Sequence, residues 1–143
     1  MIAMQNPQHQ LNRLNFRCAL VIVEADALRT FIVQLLRKQG WLVHGIRQAE
    51  QAFNVFAHIP YELVIIDSEL PGMSGTDFIR ILRNAREWRA IKLVVITSSQ
   101  SAGFTVQAAE PGSFLARKSS WEDDICGFLS TYGEEPTKRN AYS

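Results

Sequence analysis

The run Leu63-Val64-Ile65-Ile66 ends in Asp67, and the turn-forming stretch Ser68-Glu69-Leu70-Pro71-Gly72-Met73-Ser74-Gly75 follows it. A short β-branched run of this kind reads as a buried parallel strand, here with one carboxylate at its C-terminal tip. Three other apolar runs also end in reactive residue types. Val21-Ile22-Val23 leads into Glu24-Ala25-Asp26, Val94-Val95-Ile96 into Thr97-Ser98, and Phe114-Leu115-Ala116 into Arg117-Lys118. Parallel strands end at one edge of their sheet, and the crevice outside that edge is where open α/β sheets bind ligands. Carboxylates, a hydroxyl and an ammonium would therefore converge there. Clustered carboxylates raise one another's pKa, a cost that a hard divalent cation removes, and Mg²⁺ suits a few carboxylates plus several waters. Such an ion can bridge a phosphoryl oxygen while the lysine and the hydroxyl meet the others. Glu24 and Asp26 stand where a flavin or nucleotide site would place its phosphate cradle, and they repel phosphate.

The elements that must hold these residues alternate along the whole chain. Ala19–Val23 is the first strand, and Leu28, Ile32, Leu35, Leu36 and Gln39 recur at helical spacing until Gly40. Trp41–Ile46 is the second strand. Ala49, Phe53, Phe56 and Ala57 mark a helix that ends before Pro60. After the strand Leu63–Asp67, a helix carrying Phe78, Ile81 and Leu82 begins at Ser74, spaced with Asp77 like a capping box. Lys92–Thr97 is the fourth strand. Ser98–Gly112 is small-residue rich and reads as a short, loose helix. Ser113–Ala116 is the fifth strand, and Trp121, Ile125, Phe128, Leu129 and Tyr132 form the stripe of a last amphipathic helix. Five strands alternating with helices imply right-handed crossovers and a parallel sheet covered on both faces. The expected fold is a three-layer α/β/α sandwich on a five-stranded parallel sheet of flavodoxin-like order. A flexible tail (residues 1–16), one domain (17–132) and a C-terminal tail or linker (133–143) divide the chain.

Composition excludes several classes. The 143 residues suit one domain, and 47% hydrophobic with 20% charged residues suits a globular one. A formal net charge of +1 provides no bulk field for nucleic acid or an anionic membrane surface. No apolar run approaches the ~20 residues of a membrane span, and the polar N-terminus has no secretory core. Cys18 and Cys126 are expected to be free, buried thiols, in agreement with a cytoplasmic location.

On these residues the chain resembles the response-regulator receiver (CheY-like) family over about residues 17–132. The carriers are Val21-Ile22-Val23-Glu24-Ala25-Asp26, the D-x-x-L-P-G-M-x-G pattern from Asp67 to Gly75, Val94-Val95-Ile96-Thr97-Ser98-Ser99, and Phe114-Leu115-Ala116-Arg117-Lys118. The resemblance implies that Asp67 accepts a phosphoryl group from a histidine kinase or histidine phosphotransfer protein. It implies Mg²⁺ held by Glu24, Asp26, Asp67 and the backbone carbonyl of Glu69. Thr97 would be the switching hydroxyl and Lys118 the charge partner, with an output surface near Phe114 and Leu115 facing a downstream target or a fused output domain. No direct nucleic-acid or membrane partner is implied, a homodimer is left open, and the domain signals rather than acting as an enzyme. Three features depart from the family pattern. Ala25 separates Glu24 from Asp26, and the spacing onward to Gly40 is about one residue short, so either acid can take the metal-binding place. Ser119 follows Lys118 where the family usually has proline, and Arg117 is a rival for the lysine's role. The segment after Ser98 contains Gly103 and few helix formers.

Simpler roles stand beside these. Glu24 and Asp26 would be favoured as first-turn helix acids by the macrodipole alone. Thr97 suits a strand end because it is β-branched. Arg80, Arg83, Arg86 and Arg89 read as a solvated helix face. Among functions, a degenerate receiver that binds a partner without phosphorylation is the main alternative. A small metal-dependent phosphatase ranks below it, since the sequence shows no cap segment.

Overall fold

A computed structural model describes residues 17–98 and 113–133. Five strands form one sheet: β1 (Cys18–Ile22), β2 (Leu42–Ile46), β3 (Leu63–Asp67), β4 (Lys92–Thr97) and β5 (Ser113–Arg117). All four pairings are parallel, and the order is β2-β1-β3-β4-β5. The helices are α1 (Asp26–Lys38), α2 (Ala52–Phe56), α3 (Gly75–Asn84) and α4 (Trp121–Gly133).

Alternation along the strands divides the interior into two cores. Leu20, Ile22, Val64, Ile66, Leu93 and Val95 point to one face, where Ala52 and Phe56 of α2 and Phe78, Ile79 and Leu82 of α3 cover them. Ala19, Val21, Leu63, Ile65, Val94 and Ile96 point to the other, beneath Ile32 and Leu36 of α1 and Ile125 and Leu129 of α4. Every residue of β1 and β3 is buried, which explains why their sequences are continuous apolar runs rather than alternating ones.

The strand and helix expectations hold with small shifts. α1 stops where Gly40 adopts φ +95°, a conformation that favours glycine. The second helix is broken: a 3₁₀ turn, Ala49–Gln51, precedes a single α-turn and a half, and the capping box of this region lies between Gln48 and Gln51. At α3 the Ser74 hydroxyl accepts from the Asp77 N–H at 3.1 Å, but Asp77 turns its carboxylate to Arg80 at 2.8 Å, so only half of that box forms. Cys18 is buried, whereas Cys126 is only half-buried. Arg83 is also no solvated charge, since it donates to the carbonyls of Arg89 and Ile91 at 3.0 Å each. The expected helix from Ser98 to Gly112 lies outside the described residues beyond Ser98, as do residues 1–16 and 134–143 and the side chain of Tyr132, while Gly133, expected to open the C-terminal tail, ends α4. Among the described residues, no helix is long and apolar enough to cross a membrane.

Candidate functional site

β3 delivers Asp67 to the sheet edge at 5% exposure, and β4 beside it delivers Thr97 at 4%. Both are polar residues in an otherwise apolar interior, and a buried carboxylate requires compensation. Asp67 has it on both oxygens. Oδ1 accepts from the Glu69 N–H at 2.9 Å, and Oδ2 lies 3.2 Å from Lys118 Nζ. Lys118 stands just past the end of β5, next to Arg117, whose Cα pairs opposite Thr97. Arg117 is exposed, and its N–H donates to Asp124 at 2.9 Å. The basic residue brought to Asp67 is therefore Lys118.

A second carboxylate shares that lysine. Glu69 accepts from Lys118 Nζ at 3.3 Å and from the Ser98 hydroxyl at 2.8 Å. The Ser98 hydrogen bond, then Lys118, draws Glu69 below the usual carboxylate range. Burial works against the charge of Lys118, but Asp67 and Glu69 together outweigh it and hold the ammonium above its ordinary range. The Thr97 hydroxyl donates to the Ser98 carbonyl at 3.2 Å rather than to Asp67. Phe114 packs on Phe128 of α4 with ring centroids 5.2 Å apart, and Leu115 is partly buried against the opposite core.

The turn after β3 is shaped by close approach. A Cβ on Gly75 would lie 3.0 Å from Ser68 Cα and 3.2 Å from the Asp67 carbonyl oxygen. Gly72 has φ +76°, and the Met73 N–H donates to Glu50 Oε2 at 3.1 Å. Glu50, in the 3₁₀ turn ahead of α2, thereby ties that turn to the one after β3.

Glu24 and Asp26 do not join this cluster. Glu24 is exposed. Asp26 begins α1, and its Oδ1 lies 2.6 Å from Arg29 Nη2 and 3.0 Å from Arg47 Nη2. The Arg29 hydrogen bond first, and the Arg47 charge next, hold Asp26 below the usual carboxylate range. Among the described residues, no three His, Cys, Asp or Glu side chains gather as a metal site. Asp67 meets Glu69 through that residue's N–H, not its carbonyl. Magnesium bound by Glu24, Asp26, Asp67 and the Glu69 carbonyl thus does not fit the residues as arranged, because Asp26 is committed to two arginines and Asp67 to Lys118 and an N–H group.

Sequence reasoning missed Arg29, Arg47 and the side chains of Glu69 and Ser98. The i,i+3 spacing of Asp26 and Arg29 was a usable signal. Nothing local pointed to Arg47, which is 21 residues from Asp26 in the chain.

Comparison with known proteins adds the following. The family model described as the response regulator receiver domain matches residues 19–116. The two-component response regulator PhoP of Pseudomonas aeruginosa is 35% identical over 80 residues, 55% of this chain and 35% of that protein. The sensory/regulatory protein RpfC of Xanthomonas campestris pv. campestris is 33% identical over 122 residues, 81% of this chain but 17% of that protein. The chain thus spans only a minor part of these relatives. In structure it is similar to the chemotaxis response regulator CheY4 of Vibrio cholerae, with TM-score 0.72 and 15% identity, covering 81% of this chain and 98% of that one. A response regulator receiver protein from Pseudomonas putida aligns with TM-score 0.72 and 22% identity over 84% and 98% of the two chains.

Proposed function

We propose, for a chain that belongs to the response regulator receiver domain family, that Asp67 is its phosphoacceptor and that the protein is a phosphorylation-controlled signalling module. The observation that carries this reading is the buried Asp67 carboxylate paired with Lys118 at 3.2 Å at the sheet edge. In the step proposed, an Asp67 oxygen attacks the phosphorus of a phosphohistidine on a histidine kinase or phosphotransfer protein. The P–O bond forms as the P–N bond breaks, and the imidazole leaves with the electron pair and takes up a proton. Lys118 faces the charge that arrives. The acyl phosphate brings about two negative charges to the edge. The Thr97 hydroxyl then has a stronger acceptor than the Ser98 carbonyl it now uses. Its turn would bias an existing equilibrium at the surface near Phe114 and Leu115, where a downstream protein or a fused output domain would read it. Receivers are signalling domains, and the only chemistry proposed here is the domain's own phosphorylation and dephosphorylation, in the cytoplasm. Mg²⁺ takes no step in this scheme, since Asp26, one of the acids expected to hold it, is engaged by Arg29 and Arg47.

Incubation with a small phosphodonor, with and without magnesium, is expected to yield one acid-stable, base-labile adduct per chain. The adduct should vanish in Asp67→Asn; its persistence there would sink the assignment. A second reading has one observation in its favour. Asp26 is committed to two arginines, as suits a receiver that binds its partner constitutively. Partner binding unaffected by Asp67→Asn would favour that reading.

A further inference from the structure

The guanidinium groups of Arg29 and Arg47 occupy the acidic loop after β1 in a way that bears on what else can bind there. Arg29 is the more deeply set, with a side chain only 17% exposed. Its Nη1 donates to the carbonyls of Val23 at 2.9 Å and Glu24 at 3.2 Å, while Nη2 holds Asp26 at 2.6 Å. One planar cation thus satisfies a carboxylate and two loop carbonyls, the oxygen types that a hard metal ion would use. The path of its stem is built into the sheet. Gly45 of β2 faces it, and a Cβ there would come within 3.2 Å of Arg29 Cγ and Cδ. A glycine inside a strand weakens pairing and marks close approach; here what approaches is Arg29. Arg47 also reaches Asp26, with its Nη2 at 3.0 and 3.3 Å from the two carboxylate oxygens. Its own N–H is anchored on Gln51 Oε1 at 3.3 Å.

We infer that Arg29 and Arg47 are the resident counter-cations of this loop and that they make the edge a poor site for a divalent ion. Asp26 is paired with Arg29 and Arg47, and Asp67 and Glu69 share Lys118, so the charge a metal would neutralise at these carboxylates is already matched by protein cations. An entering doubly charged ion would have to displace a charge-assisted hydrogen bond and then sit among like charges. This goes beyond the signalling role and stands whether or not Asp67 is ever phosphorylated.

The test is an NMR titration of the unmodified full chain with MgCl₂, and with trace MnCl₂ for paramagnetic broadening, at matched ionic strength. No saturable change is expected at the amides of Glu24, Asp26, Asp67 and Glu69 below roughly 10 mM metal, far above the range of built cation sites. Arg47 is exposed, so Arg47→Ala should fold, and it should bind Mg²⁺ about tenfold more tightly once one like charge is gone. Saturation of the native chain below that concentration overturns the inference. So does an Arg47→Ala chain that binds no better than the native one, since the arginine would then not be the cause. Because the readout involves no phosphoryl transfer, failure here is separable from failure of the adduct experiment.

Discussion

Lys118 lies between two carboxylates, and its contacts decide how the edge is charged. Asp67 is nearly inaccessible, so removing its ammonium partner leaves a buried carboxylate with the Glu69 N–H alone. Lys118→Ala is expected to destabilise the fold at neutral pH by about 1–3 kcal/mol, toward the lower end because the lysine is itself about one-third exposed. Urea melts of the two proteins measure this directly. Glu69 has the opposite effect on the chemistry: its carboxylate already holds Lys118 and Ser98, which an incoming phosphoryl group would seek. Glu69→Gln is accordingly expected to speed adduct formation by a small donor by about two- to tenfold through loss of one like charge, read by quenched time courses; a slower rate would mean that Glu69 assists instead.

At the level of the element, the loops gather the site and the helices aim the loops. α3 starts one residue after Ser74, whose hydroxyl caps it, and Gly75 lets that first turn lie directly on Ser68 and the Asp67 carbonyl. Ser74→Ala removes the cap and is expected to cost about 1 kcal/mol, seen as a lower thermal midpoint with the sheet otherwise intact. The cap was legible beforehand, because a serine ahead of an apolar stripe is a strong start signal. The reciprocal half of the box was not, since Asp77 had Arg80 within reach one turn on and chose it. α2 was the least legible helix. Its start is a 3₁₀ turn held by Gln48 and Gln51, and apolar spacing alone does not separate that from a continuous α-helix.

In the whole molecule, the two cores flank one sheet, and an aromatic cluster fills the α2–α3 side. Phe53, Phe56, Phe78, Tyr61 and Trp88 meet there edge-on or tilted, apart from the Phe53–Trp88 stack. Tyr61 is buried in this group, and its hydroxyl shares a 2.6 Å hydrogen bond with His44 Nδ1. Burial, with a smaller contribution from Cys18, pushes its phenol up to about 12. The native state therefore keeps the proton longer than the unfolded chain does. The associated stability is fully present below pH ~10 and is lost as the pH rises to ~12, an alkaline loss of about 3 kcal/mol. Absorbance titration of tyrosinate alongside denaturation at pH 9 and 11 checks both sides; a Tyr61 that ionises like free tyrosine would contradict it.

The elements and the position of Asp67 were legible in the amino-acid sequence because their causes are local. Period-2 and period-3.6 burial, the Pro/Gly turn and a carboxylate ending an apolar run are all written within a few residues of one another. From those came the five parallel strands and the convergence of Asp67, Thr97 and Lys118 or Arg117 on one edge, while the strand order was expected from strand count and chain length. Tertiary structure alone decided which partners the charges took. Lys118 rather than Arg117 meets Asp67, Asp26 is held by Arg47 from a loop 21 residues away, and Glu69 takes Ser98 from the end of the neighbouring strand. Charged side chains are long and their attractions are non-directional over several ångströms, so their pairing depends on the space that packing leaves, as Gly45 leaves it for Arg29, and not on the sequence around either partner.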